Sequence, residues 1–191
     1  MLEGLLRDLR ALWLARRREV HTRHWRSLPL ADYVVDRWEK ARELGFGEGT
    51  SIYDSVLVLG DVQVGRDTWI GPFVVLDGSG GLTIGSNCSI SAGVQVYSHD
   101  TVRWAISGGQ TAAERAPTVI GDNCYIGPNT VVAKGVRIGD GCVVGAGSLV
   151  LHSLPDGSKA YGTPCRVVGQ ASPGCSVLGA SGTTPSSTLG A

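Results

Sequence analysis

No run of about 18 consecutive apolar residues occurs in this sequence, the length a bilayer-crossing helix requires, so no transmembrane helix is expected. The apolar stretch and small-residue cleavage site of a secretory leader are missing as well, and a cytoplasmic location is expected. Neither sign of charge is in excess, because 17 Lys+Arg stand against 17 Asp+Glu. A chain without net charge has no whole-molecule attraction for nucleic acid, and its partners must be sought in local sites. Five cysteines, Cys88, Cys124, Cys142, Cys165 and Cys175, form no CxxC pair and are odd in number. That argues against a zinc module and against a disulfide framework. With 42% hydrophobic and only 18% charged residues, the chain has the composition of a folded domain.

Glycine is plentiful: 28 of 191 residues, about twice the usual share of about 7%. The strict every-third spacing of a collagen triple helix is absent. The period is six. An aliphatic residue recurs at Ile52, Val58, Val64, Ile70 and Leu76, again at Ile84, Ile90 and Val96, and again from Ile120 through Ile126, Val132, Ile138 and Val144 to Val150. A small residue usually follows it (Gly65, Gly71, Gly85, Gly121, Gly127, Ala133, Gly139, Gly145), and Val, Thr, Ser or Cys stands four positions after it. Neither a helix nor an alternating strand produces that pattern. A triangular coil does: each hexapeptide is a short strand and a corner, the aliphatic points inward, and the residue four later fills the space beside it. Cys88, Cys124 and Cys142 occupy that inner small position and read as buried core thiols.

The repeat has two interruptions. The eight-residue step from Leu76 to Ile84 passes through Asp77-Gly78-Ser79-Gly80-Gly81 and reads as a bulge at a corner. The 24-residue gap between Val96 and Ile120 contains Ser107-Gly108-Gly109-Gln110 and reads as an excursion, about 98–119, that leaves a corner and returns in register. Ahead of the coils, Leu2, Leu5, Leu6, Leu9, Leu12 and Trp13 recur at helical spacing. A second helical stretch opens at Pro29 and ends near Leu44 with Gly45 as its stop. The expected division is a helical cap at 1–49 covering the open end of the first coil, a β-helix at 50–169, and an uncharged, disordered low-complexity tail at 170–191. Seven Arg against three acids in residues 1–28 add a secondary reading, contact of the first helix with a membrane surface.

Chemistry in such a coil belongs where the pattern breaks. The excursion opens with Tyr97-Ser98-His99-Asp100, whereas His21 and His24 lie in the helical segment and His152 near the last coil. An imidazole is neutral and basic enough near neutral pH to take a proton from an attacking hydroxyl or amine, so His99 is the candidate general base. Asp100 is a candidate to orient it.

The repeats, together with the Tyr97-Ser98-His99-Asp100 opening, resemble the hexapeptide-repeat acyltransferases over residues 50–169. The resemblance implies a mainly β fold, a left-handed parallel β-helix of four to five coils, assembled as a homotrimer with its sites between subunits. It implies acetyl-CoA as acyl donor, no metal, and a sugar or nucleotide-linked sugar as acceptor. In it, Pro128, Ala133 and Ala146 match positions beside the pantetheine arm. Arg166, in Tyr161-Gly162-Thr163-Pro164-Cys165-Arg166, matches the basic residue facing the nucleotide phosphates. Leu151-His152 stands where the family commonly carries Thr-Lys, with Lys159 as the alternative phosphate contact. Trp104 and Tyr125 are candidates to stack on a sugar ring. The alternatives are a non-catalytic scaffold and a zinc enzyme of the γ-type carbonic anhydrase class, which needs three histidines where this chain offers His99 and His152.

Overall fold

The structure, a computed structural model, describes residues 2–172. Most of the tail expected to be disordered, 173–191, lies outside the described residues. Gln170 does not begin that tail but ends the strand Cys165–Gln170 and pairs with Ser158.

From Ser51 onward the chain winds as a parallel β-helix with three faces. The first face stacks Ile52, Ile70, Ile90, Ile126, Val144 and Ala160 in register. The second stacks Val58, Leu76, Val96, Val132 and Val150. The third stacks Val64, Ile84, Ile120 and Ile138, and a bridge to Leu154 extends it. Except for Val58, which is partly exposed, these residues are buried. Each burial of a Val, Leu or Ile side chain among them contributes about 1.5–3 kcal/mol. The residue four later does fill the gap: Val74, Cys88, Val94, Cys124, Thr130, Val136, Cys142 and Ser148 are all buried.

Among the described residues the first face has six rungs, one more than the expected four to five coils supply. Leu154 and Ala160 account for the difference. Val150 is followed by a four-residue step to Leu154, which breaks the period of six while keeping an apolar side chain inside. The antiparallel hairpin of Ser158–Gly162 and Cys165–Gln170 then closes that end.

The helical segment is divided differently from expectation. α1 spans Leu2–His24, α2 Leu30–Val34 and α3 Arg37–Glu43. The stretch from Pro29 to Leu44 is two helices because Val35 and Asp36 are extended and the Asp36 carboxylate caps the next helix, accepting from the N–H of Trp38 at 3.0 Å and Glu39 at 2.9 Å. The open first coil is covered by α3, whose Ala41 is buried, and by Phe46 just beyond it. α1 packs mainly on α2 and buries none of its own residues. No helix among the described residues is long and apolar enough to cross a membrane.

Both interruptions of the repeat are structural features. In the first, Gly60 pairs with Gly78 but Val62 pairs with Leu82, so two extra residues bulge out of the second strand of the pair. In the second, His99–Asp100 pairs antiparallel with Glu114–Arg115, and the short helix α4, Val102–Ile106, lies between them.

Candidate active site

The two irregularities meet in space. The bulge places Asp77 directly beneath the start of the excursion, fully buried, although a carboxylate there would be costly without partners. Asp77 has many. Its Oδ1 accepts from the Ser79 amide at 3.1 Å and the Ser79 hydroxyl at 2.5 Å. Its Oδ2 accepts from the amides of Ser98 at 2.9 Å and His99 at 3.2 Å, and lies 2.6 Å from His99 Nδ1. Burial acts to raise the Asp77 carboxyl, but the hydrogen bonds from Ser79, Ser98 and His99 outweigh it and hold the group well below the usual carboxylate range. Glycine is required in the bulge, since a Cβ on Gly78 would strike the Asp61 carbonyl and one on Gly80 the Ser98 carbonyl. The Gly80 amide also donates to the Ser98 hydroxyl at 2.8 Å, tying bulge and excursion together.

An ionised carboxylate only accepts hydrogen bonds, so Nδ1 of His99 carries the proton and Nε2 is left as the basic nitrogen. The half-buried ring borders a cleft of about 590 Å³ that Tyr97, Thr101, Val131, Ala133, Lys134 and Leu151 also line.

Asp100 does not orient His99. Its carboxylate pairs with Lys134 at 2.5 Å and accepts from the Val102 amide at 3.1 Å. Lys134 also reaches Glu114 at 2.9 Å, and Glu114 pairs with Arg103 at 3.1 Å. Lys134 stands on the coil and its partners on the excursion, so this cluster fastens one to the other. Lys134 lowers the Asp100 carboxyl by hydrogen bonding, and Asp100 and Glu114 raise the Lys134 ammonium in turn.

Of the residues singled out from sequence, His99 and Ala133 line the cleft together. Pro128 and Ala146 lie at the stacked corners between the first and second faces, where the Gly147 amide donates to the Pro128 carbonyl at 2.8 Å and Gly127 lies against Ala146. Tyr125 is on the first face, between Ser89 and Val143. Trp104 is exposed on α4 beside Gly109. Arg166 is in the terminal hairpin, its guanidinium donating to the Cys165 carbonyl at 3.0 Å. These five do not join the His99 cleft within one chain. Leu151 does line it, at the position that departs from the family's Thr-Lys, whereas His152 does not. Among the described residues, no three His, Cys, Asp or Glu side chains converge as a metal site would require.

Asp77 and Lys134 were not identified as site residues from sequence. One signal was available for Asp77: an acid directly after an inward aliphatic, at the first residue of an irregular step.

Comparison with known proteins agrees with this architecture. Residues 62–98 match the family described as hexapeptide repeat of succinyl-transferase, and residues 117–152 match the bacterial transferase hexapeptide (six repeats). A probable serine acetyltransferase 1 of Oryza sativa subsp. japonica is 42% identical over 100 residues, covering 52% of this chain and 32% of that protein. The bifunctional protein GlmU of Clostridium botulinum (strain Langeland / NCTC 10281 / Type F) is 27% identical over 128 residues, covering 60% and 26%. This chain thus spans a quarter to a third of those curated relatives. The hexapeptide-repeat containing acetyltransferase VCA0836 of Vibrio cholerae superposes with a TM-score of 0.61 at 27% identity, covering 86% of this chain and 93% of that one. AntD, an N-acyltransferase of Bacillus cereus solved with dTDP and 3-hydroxybutyryl-CoA, shares the fold with a TM-score of 0.61 at 24% identity, covering 66% and 72%. Two stretches of the chain thus match hexapeptide-repeat transferase models, and its coil has the left-handed parallel β-helix fold of such proteins.

Proposed function

We propose that this protein is an acyl-CoA-dependent acyltransferase that moves an acetyl group to a hydroxyl or amine of a sugar or nucleotide-linked sugar. The observation that carries the proposal is the 2.6 Å contact between His99 Nδ1 and the buried Asp77 carboxylate at the edge of an open cleft. A scaffold has no use for it, because burying a carboxylate costs free energy that only a full set of donors offsets. A general base does have a use for it: the carboxylate fixes the tautomer and supports the charge that His99 gains on taking a proton.

Acetyl-CoA supplies a thioester carbon already activated for attack. His99 Nε2 accepts the proton of the attacking hydroxyl or amine as the new bond forms, the thioester C–S bond then breaks and CoA leaves as its thiol with that proton, and Asp77 holds the ring in place throughout. No covalent intermediate on the protein is needed. Ala133, small and beside His99, is the residue of the cleft suited to close approach of the pantetheine arm. Pro128, Ala146 and Arg166 lie away from His99 in one chain, and we assign them to the donor path of a neighbouring subunit in a homotrimer. Trp104 and Tyr125 are assigned to the acceptor side in the same way. The amphipathic lining of Tyr97, Thr101, Val131 and Leu151 suits a sugar, which offers both hydroxyls and an apolar ring face.

The test is incubation of the purified protein with acetyl-CoA and a panel of amino and neutral nucleotide-linked sugars, with products read by mass spectrometry and assembly by light scattering. Acetylated product from a trimer supports the proposal. A protein that neither binds labelled acetyl-CoA nor acetylates any of the panel is a scaffold, and a fully active monomer removes the shared-site assignment.

A further inference from the structure

The coil needs α3 and Phe46 to cover its first rung, whereas α1 packs mainly on α2. Leu2, Leu5, Leu6, Leu9 and Leu12, the residues that suggested a cap, are exposed, from 48% for Leu12 to 70% for Leu2. Together with Trp13 and with Leu30 and Val34 of α2, three of them border an apolar groove of about 500 Å³. A soluble surface rarely leaves so much contiguous apolar area uncovered unless something docks there.

The charge around the groove indicates what docks. Residues 1–28 carry seven arginines and three acids. Two of the acids are already engaged: Glu19 by Arg16 at 2.6 Å and Arg23 at 3.4 Å, and Asp8 by Arg7 at 3.7 Å. Because the whole chain is balanced, residues 29–191 hold ten basic against fourteen acidic groups. The basic excess is therefore confined to α1 and the few residues after it, while the coil of 50–169 is close to balanced, with seven basic against nine acidic groups. Trp25, at the end of α1, is 84% exposed, a residue suited to the boundary between headgroups and acyl chains.

We propose that α1, with the flank of α2, docks on an anionic lipid surface. The helix lies along the interface with its leucines in the acyl boundary and its arginines against headgroup phosphates. This proposal is independent of the transferase reading. A second copy of the chain is the less favoured occupant. The line through Leu2 and Leu9 continues, seven residues at a time, as Arg16 and Arg23, so a bundle of such helices would have a seam of only two heptads followed by like charges. Arginine stems, by contrast, can lie on an apolar surface while their heads reach water or phosphate.

The full-length protein is sedimented with vesicles of phosphatidylcholine alone and of phosphatidylcholine mixed with phosphatidylglycerol, at low and high salt. Leu5→Glu/Leu9→Glu and Arg10→Glu/Arg17→Glu/Arg18→Glu are run beside it, with melting temperature and light-scattering mass as controls. The expected result is salt-sensitive pelleting with the anionic vesicles only, reduced roughly tenfold or more in both variants at unchanged melting temperature and mass. Failure to pellet, equal pelleting with phosphatidylcholine alone, or full binding by the arginine variant overturns the proposal. A fall in assembly mass for Leu5→Glu/Leu9→Glu also overturns it and gives the stripe to a second copy.

Discussion

Asp77 and His99 are 22 residues apart in sequence, yet Oδ2 of the first lies 2.6 Å from Nδ1 of the second, because a two-residue bulge on one coil lies under the excursion that leaves the next. In the proposed mechanism the pair acts as a unit. His99→Ala should lower kcat by roughly 10²- to 10⁴-fold while leaving acetyl-CoA affinity nearly unchanged. Asp77→Asn, which removes the fixed acceptor for Nδ1–H, should lower kcat less. The double variant should be no slower than His99→Ala alone, since the positioning residue has nothing left to position. Steady-state kinetics of the three variants check this, and additive losses would contradict it.

Asp77 also links stability to pH. Its carboxyl is held below the ordinary range in the folded protein, so its contribution is complete above the unfolded value of about 3.9 and drains away as pH falls below it. Urea melts at neutral pH and near pH 3 should show the wild type losing more stability on acidification than Asp77→Asn. Equal losses would mean the carboxylate gains nothing from its partners.

Lys134 fastens the excursion to the coil through Asp100 and Glu114. Lys134→Met releases both carboxylates and loosens the wall that carries Thr101 and Val102. The expected outcome is an acceptor KM raised on the order of tenfold, with the KM for acetyl-CoA little changed. Lys134→Arg should restore part of the loss. If both KM values rise together, the excursion is not specific to the acceptor side.

Ile126 is fully buried in the middle of the first face, stacked between Ile90 and Val144. Ile126→Asp places an unpartnered charge in that stack and should abolish soluble folding. Ile126→Val removes one methylene and should cost about 0.5–1.5 kcal/mol, read as a lowered midpoint in chemical denaturation. A soluble Ile126→Asp with unchanged melting would contradict the assignment of this face.

The coil was legible in the sequence because its rule is local. An inward aliphatic every six residues, with a small residue beside it, specifies rung, corner and core with no knowledge of distant residues, and Ile52 through Val150 follow it. Both breaks in the period were legible for the same reason, as was His99 at the mouth of the longer one. Where the local rule lapsed, the reading stopped short: Leu154 and Ala160 continue the stack after a shortened step and were not counted as rungs. The carboxylate partner of His99 was not legible either. Asp100 is adjacent in sequence, but Lys134, from a later coil, holds its carboxylate, while Asp77 reaches the imidazole from the coil below. Stacking brings residues about one coil apart into contact, and a bulge decides which side chain it turns toward its neighbour. The exposure of α1 was set in the same way: its leucine spacing called for a buried face, but α3 and Phe46 already cover the first rung.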